Sequence, residues 1–480
     1  MNFGMIRYVL GYALKAEAAA LVLPILCGLI YREQVYSLLI AAAVALAGGL
    51  ALGFRKPHRT VFDAREGFVI CALSWILMSL IGALPFWLSG AIPSYVDALF
   101  EIVSGFTTTG ASILSEVEHL GKTLLFWRSF SHWLGGMGVL VLVLTILPLG
   151  GGYNMMIMKA ESAGPEVSKV VPRVADTAKA LYGIYIFMTL GIIAVFALSG
   201  MPLYDSLCIG FGSAGTGGFA VRNSGMADYG MFSQFLIAIA MVLFGVNFNL
   251  YYSLERRKWK EALHFEEVRV YFAIILVATA FIAASIYNDC GENLLQALHH
   301  SFFTVTSVIT TTGFATLDFS LWSQPAQMIL LFLMYSGACA GSTGGGMKVS
   351  RLIILTKEVF RELHVLIHPE SVRHIRLGGR RVDDNVLRSV NSFLVMYVGL
   401  FIVSAFVVSF DGFDFTTTYS AVAATLNNIG PGLAGVGPYA NFGGFSVLSK
   451  LVLIFDMLAG RLELLPMLML LSPRLWQRTR

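Results

Sequence analysis

Long apolar runs fill most of this 480-residue chain, near 8–30, 36–54, 68–90, 122–150, 178–200, 229–253, 270–288, 325–360, 390–410 and 446–472. About 20 apolar residues span a bilayer as a helix, so the pattern predicts about ten spans in one integral membrane unit. Charged residues make up only 13% and mean hydropathy is +0.73, whereas a soluble domain carries about 25% charged residues. This balance excludes an ordinary cytosolic enzyme and a disordered scaffold. The net charge of +4 is too small to point to nucleic acid. The first run is read as a retained helix and not as a signal peptide, because a second span follows it and no persuasive cleavage site closes it. Cys27, Cys71, Cys208, Cys290 and Cys339 form no CxxC pair and read as small hydrophobes.

The segments between the later runs are short, half polar and end in glycine. They read DALFEIVSGFTTTGAS from Asp97, DSLCIGFGSAGTGGFA from Asp205, HSFFTVTSVITTTGFA from His300 and TTYSAVAATLNNIGPG from Thr417. A glycine falls thirteen residues after each start, at Gly110, Gly218, Gly313 and Gly430. Such internal repetition predicts one supersecondary unit used four times. A helix of about a dozen residues rises about 18 Å, less than the hydrocarbon core of about 30 Å, so each segment enters and leaves on one side. Backbone of that kind is tolerated at membrane depth only where protein buries it or where it lines a watery cavity. Asp97, Asp205 and Thr417 are the expected N-caps, while His300 offers none. The bland reading of the same glycines is tight helix packing.

Positive charge fixes the expected orientation. The linker from Lys348 to Arg388 is rich in Lys and Arg, as are Arg55, Lys56, Arg59 and Arg65, and Arg256, Arg257, Lys258 and Lys260. The linker and the loop at 256–260 are therefore expected on the cytoplasmic side. Asp97, Glu101, Glu116, Glu118, Asp205, Asp228, Asp289, Glu292, Asp318, Asp411 and Asp414 lie in the opposite loops, where an acidic mouth concentrates cations. Four glycine loops meeting on one axis can offer carbonyl rings to a dehydrated monovalent cation, with the negative ends of the short helices aimed at the same place.

TTTGAS, GTGGFA, TTTGFA and NNIGPG, with GSTGGGMK and AGRLE further on, resemble the Trk/Ktr/HKT superfamily of cation transporters, and within it the bacterial Trk-type potassium-uptake membrane subunit. The resemblance covers essentially the whole chain, and the extra N-terminal hairpin favours the Trk type. It implies an all-α integral membrane fold: an N-terminal transmembrane hairpin at 1–66, then four repeats of helix, re-entrant pore helix and helix in pseudo-fourfold symmetry around one pore. These fall at 67–172, 173–264, 265–384 (with a gate loop and cytoplasmic linker) and 385–480. It also implies a selectivity filter in which Thr108, Thr109 and Gly110, Thr216, Gly217 and Gly218, Thr311, Thr312 and Gly313, and Asn428, Ile429 and Gly430 hold potassium through backbone groups. The transported ion is then K+, with no cofactor on this chain. A homodimer in the bacterial inner membrane is implied, with both termini cytoplasmic and the filter mouth outside. A cytosolic nucleotide-binding regulatory subunit of the TrkA type is the implied partner, together with membrane lipid.

The stretch from Ser336 to Lys348 interrupts what should be one helix, because its glycines are costly to hold in helical form. In the family the matching loop, here Gly341, Ser342, Thr343, Gly344, Gly345, Gly346 and Lys348, acts as a gate under the filter; a static kink is the alternative. Arg461 lies deep in the last apolar run, where a charge needs water or a partner. The resemblance places it in the pore with the gate, and an ion pair with Asp456, Glu463 or another acid is the alternative. Glu463, two residues away on a helix, points to nearly the opposite side.

Several motifs are decoys. The glycine-lysine stretch is no phosphate loop, since Met347 separates Gly346 from Lys348 and Val349 stands where Ser or Thr belongs. His364 and His368 lack the glutamate of a zinc-protease pair, and His299 and His300 read as structural. The Arg-rich linker can also dock an acidic partner or anionic lipid. A sodium- or proton-coupled potassium symporter on the same architecture stays open at this point. An intramembrane hydrolase is a distant third reading, lacking the serine or metal pair with a base that it requires.

Overall fold

The computed structural model describes residues 1–55, 57, 64–138, 174–258 and 265–476. Lys56, Arg59 and Lys260, the second half of the 122–150 run and the junction expected at 172–173 lie outside the described residues. Helices dominate; the only described strands, Arg376–Leu377 and Arg380–Arg381, pair antiparallel in the linker.

The chain opens with Phe3–Ala20, Val22–Tyr31 and Tyr36–Gly53. The first and third pack along each other through small residues: a Cβ on Gly11 would meet the Gly49 carbonyl at 2.9 Å. Close backbone approach of this kind is how helices associate where lipid removes the hydrophobic drive. Outward faces carry Phe187, Leu276, Val277, Val395 and Phe406, all largely exposed, as the lipid-facing side of a membrane helix requires.

Among the described residues six helices are long and apolar enough to cross a membrane, or seven if Met231–Phe244 and Phe248–Glu255, bent by 87°, count as one. The ten apolar runs therefore do not become ten straight helices. Four of them give no single spanning helix among the described residues: Lys122–Gly136 ends at a glycine pair, Met231–Phe244 bends at Gly245, Gln324–Ser336 stops at Gly337, and Val447–Arg461 stops before Leu465–Leu470. Only the third of these breaks is signalled by a glycine-rich stretch. In the first and last, a Cβ on Gly135 or Gly460 would collide with the carbonyl of Phe106 or Leu426, each the last residue of a short helix. The long helix breaks where a short one ends against it.

Four short helices stand between the long ones, at Tyr95–Phe106, Leu203–Gly215, Leu294–Ile309 and Phe415–Leu426. Their N-caps differ from expectation. Ser94 accepts from the Asp97 amide, Asn293 from the Leu295 and Gln296 amides, and Asp414 from the Thr417 amide, while Pro202 supplies no side-chain cap. Asp97, Asp205 and Thr417 thus lie inside the first turn, and the third helix, expected to lack a cap, has one. The Thr417 hydroxyl and amide hold the Asp414 carboxyl below the usual carboxylate range.

Candidate functional site: a ring of four loops above a glycine loop

Each short helix ends in the same way. Thr108, Thr216, Thr311 and Asn428 take left-handed backbone, with φ of 57°, 56°, 58° and 55°. The next amide in each loop, that of Thr109, Gly217, Thr312 or Ile429, donates five residues back to Ser104, Gly212, Ser307 or Ala424. This closes the helix end and satisfies one of its last carbonyls.

The four loops then meet. A Cβ on Gly110 would lie 2.6 Å from the Gly218 nitrogen, one on Gly218 2.9 Å from the Gly313 carbonyl carbon, one on Gly313 2.8 Å from Pro431, and one on Gly430 2.7 Å from the Thr109 oxygen. The contacts run from the first loop to the second, third and fourth and back to the first, closing a ring. Gly110, Gly313 and Gly430 also have φ of 80°, 86° and 95°, a region other L-residues rarely occupy. One face of the ring opens into a cavity of about 120 Å³ lined by the four glycines together with Arg128, Arg222 and Tyr439.

Against the other face lies the glycine loop of 337–348. The Gly345 amide donates to the Thr311 hydroxyl at 2.6 Å, and a Cβ on Gly344 would meet the Thr310 oxygen at 2.9 Å. Lys348, itself at φ 74°, donates its ammonium to the Gly344 carbonyl. Thr343 donates its hydroxyl to the Phe244 carbonyl at 3.2 Å, and the Ser342 hydroxyl returns to Cys339. Gly341 accepts from the Phe248 amide, and Gly346 packs on Gly337. Arg461 reaches the same place: it donates to the Thr343 carbonyl at 2.7 Å, the Gly135 and Gly136 carbonyls at 2.6 Å each, and the Thr108 hydroxyl at 3.2 Å. Its neighbour Glu463 pairs instead with Arg351, and Asp456 accepts from Ser404.

Four residues that the sequence reading did not single out as site residues hold this arrangement. Glu101 and Arg128 form a buried ion pair at 2.6 Å; Glu101 accepts from Ser112 and the Ile113 amide beyond the first loop, and Arg128 donates to the Ala220 carbonyl beyond the second. His132 bridges the Gly105 carbonyl and the Phe219 amide. Glu267 accepts the Ala340 amide at 2.6 Å and the Ser350 amide at 3.0 Å through one oxygen, stapling both flanks of the glycine loop. The rule that selected Arg461, an ionisable side chain inside an apolar run, also selects Arg128 and His132. Glu267 stands at the edge of its run and carries no such signal.

The acidic loops are less bare than a count of charges suggests. Asp97 pairs with Lys450 at 2.6 Å, Asp205 with Arg222 at 3.2 Å, and Glu101 is fully buried with Arg128. His299 bonds Gln234 and His300 bonds Thr316, both structural roles. His364 and His368 place their rings 4.8 Å apart in the linker helix. Cys27, Cys71, Cys208 and Cys339 are buried thiols and Cys290 is half-buried.

Helices built for lipid, with four loops meeting backbone to backbone between a cavity and a glycine loop, define a membrane transport protein. The sequence profile described as "TrkH: Cation transport protein" matches residues 34–478, and the chain belongs to that family. The Trk system potassium uptake protein TrkH of Halomonas elongata is 34% identical over 487 residues, covering 100% of both chains. That of Salmonella typhimurium is 35% identical over 99% of this chain and 100% of its own. The crystal structure of the potassium transporter TrkH from Vibrio parahaemolyticus superposes with a TM-score of 0.89 at 32% identity, over 99% of this chain and 100% of that one. These relatives are transporters and not enzymes.

Proposed function

We infer that the chain is the ion-conducting membrane subunit of a Trk-type potassium-uptake system. The observation that carries this reading is the closed ring of Gly110, Gly218, Gly313 and Gly430, joined to the names of the full-length relatives. In it the four repeats surround one pore in pseudo-fourfold order. Thr108 to Gly110, Thr216 to Gly218, Thr311 to Gly313 and Asn428 to Gly430 form the selectivity filter, exchanging water for backbone carbonyls around K+. The negative ends of the four short helices converge on the inner side of the same ring and favour a cation there.

The loop from Gly341 to Lys348, with Arg461, is the gate in this reading. It lies against the inner face of the ring, and Arg461 adds a fixed positive charge on the ion's path. The cavity opens outward, both termini and the basic linker face the cytosol, and the linker offers the surface for a TrkA-type nucleotide-binding partner. Two copies associate in the inner membrane. An inward potential supplies about 2.3 kcal/mol per charge per 100 mV, so accumulation needs no chemistry on this chain.

Uptake of K+ and Rb+ into proteoliposomes under an imposed inside-negative potential tests this. Uptake is expected without any sodium or proton gradient. Uptake that demands such a gradient would make the chain a symporter, and none in any condition would defeat the reading.

A further inference from the structure

The second loop of the ring is the odd one, and its neighbour explains why. The middle residue is Thr109 in the first loop, Thr312 in the third and Ile429 in the fourth, but Gly217 in the second. Thr109 and Thr312 are buried, and their hydroxyls bond to those of Thr107 and Thr310 at 2.8 and 2.7 Å. Ile429 is buried among apolar side chains. Each of these three loops thus has a packed side chain behind it. A side chain at 217 has no room, because its Cβ would fall on the imidazole of His132, 2.7 Å from Cε1 and closer to Cγ and Nδ1.

His132 is fully buried on the helix Lys122–Gly136, which follows the first loop. The Phe219 amide donates to its Nε2 at 3.2 Å, which requires a lone pair there. The proton of the neutral ring therefore sits on Nδ1 and is donated to the Gly105 carbonyl at 2.8 Å. The ring lies 4.3 Å from the Phe219 ring, whose environs also include the Arg128 guanidinium at 3.6 Å, one helical turn before His132. The geometry points to His132 as the positioning residue of the second loop: its imidazole replaces the side chain missing at Gly217 and locks that loop to the end of the first short helix, setting cation discrimination. This assignment rests on the filter reading above.

The test is a mutant cycle, read as the Rb+ to Na+ flux ratio in proteoliposomes, with size-exclusion profile and thermal midpoint as folding controls. His132→Ala is expected to keep flux but lower the ratio by about tenfold, the factor that one to two lost hydrogen bonds produce. Gly217→Thr alone is expected to lose flux, because the imidazole occupies the space. The double variant His132→Ala/Gly217→Thr is expected to recover flux relative to Gly217→Thr and ratio relative to His132→Ala, its threonine filling part of the space the imidazole vacates. His132→Gln, which supplies one donor and one acceptor, is expected to keep most of the ratio and serves if the alanine variant does not fold. A ratio within twofold of the parent in His132→Ala, Gly217→Thr tolerated beside His132, or no rescue in the double variant would each overturn the assignment. A parent protein that passes Rb+ and Na+ equally would instead defeat the filter reading beneath it.

Discussion

The guanidinium of Arg461 donates to the carbonyl of Thr343 at 2.7 Å, fastening the end of the helix Val447–Arg461 to the glycine loop of 337–348. The same group holds the Gly135 and Gly136 carbonyls at the end of the helix Lys122–Gly136. Three helix breaks separated by more than a hundred residues each are thus joined through one side chain. Carbonyls freed by ending a helix at membrane depth need donors, and Arg461 supplies them.

Arg461→Ala removes both this clasp and a positive charge. Ion flux in proteoliposomes lacking any partner is expected to rise by about tenfold, the change that about 1.4 kcal/mol off a barrier gives. Equal or lower flux from a well-folded variant would retire the gating role.

Gly110→Ser places a Cβ 2.6 Å from the Gly218 nitrogen at a φ of 80°. The first loop must shift, at a local cost of about 1–2 kcal/mol for a side chain in left-handed backbone. The ratio of potassium to sodium flux is expected to drop, and an unchanged ratio would count against the ring as the filter.

Glu267 uses a single oxygen for both amide bonds, so Glu267→Gln keeps the acceptor while Glu267→Ala loses it. Higher partner-free flux is expected in the alanine variant and near-parental flux in the glutamine one, with the ion ratio unchanged in both. Each lost hydrogen bond to a charged group is worth about 1.5–3 kcal/mol. A flux increase of the same size in both variants would show that the negative charge, not the acceptor, is what matters.

Arg128→Met leaves Glu101 buried without its cation. A single break of a buried pair costs about 3–5 kcal/mol, while replacing both partners is far milder. The thermal midpoint in detergent is expected to fall sharply in Arg128→Met and to recover in part in Glu101→Gln/Arg128→Met. Equal loss in both would show that the two residues act independently.

Much of the architecture is legible in the sequence because lipid imposes local rules. The apolar runs near 178–200, 270–288 and 390–410 become the helices Val174–Leu198, Glu266–Ser285 and Asp384–Val408. The four glycines, found by their common offset, meet in one ring. The breaks at Gly135, Gly245 and Gly460 are not legible, since one or two glycines in an apolar run also read as helix packing. The caps were misplaced by three residues because Ser94 and Asp414 lie ahead of the repeated frame.

What the sequence determined by itself is the solvent of the chain, its repeated short segments and the common offset of their four glycines. These follow from composition and spacing, which act over a turn or two of backbone. The tertiary structure alone decided which glycine faces which, that Glu463 pairs with Arg351, and that His132 fills the gap at Gly217. Such choices depend on contacts between segments 85 or more residues apart, where no local periodicity reaches.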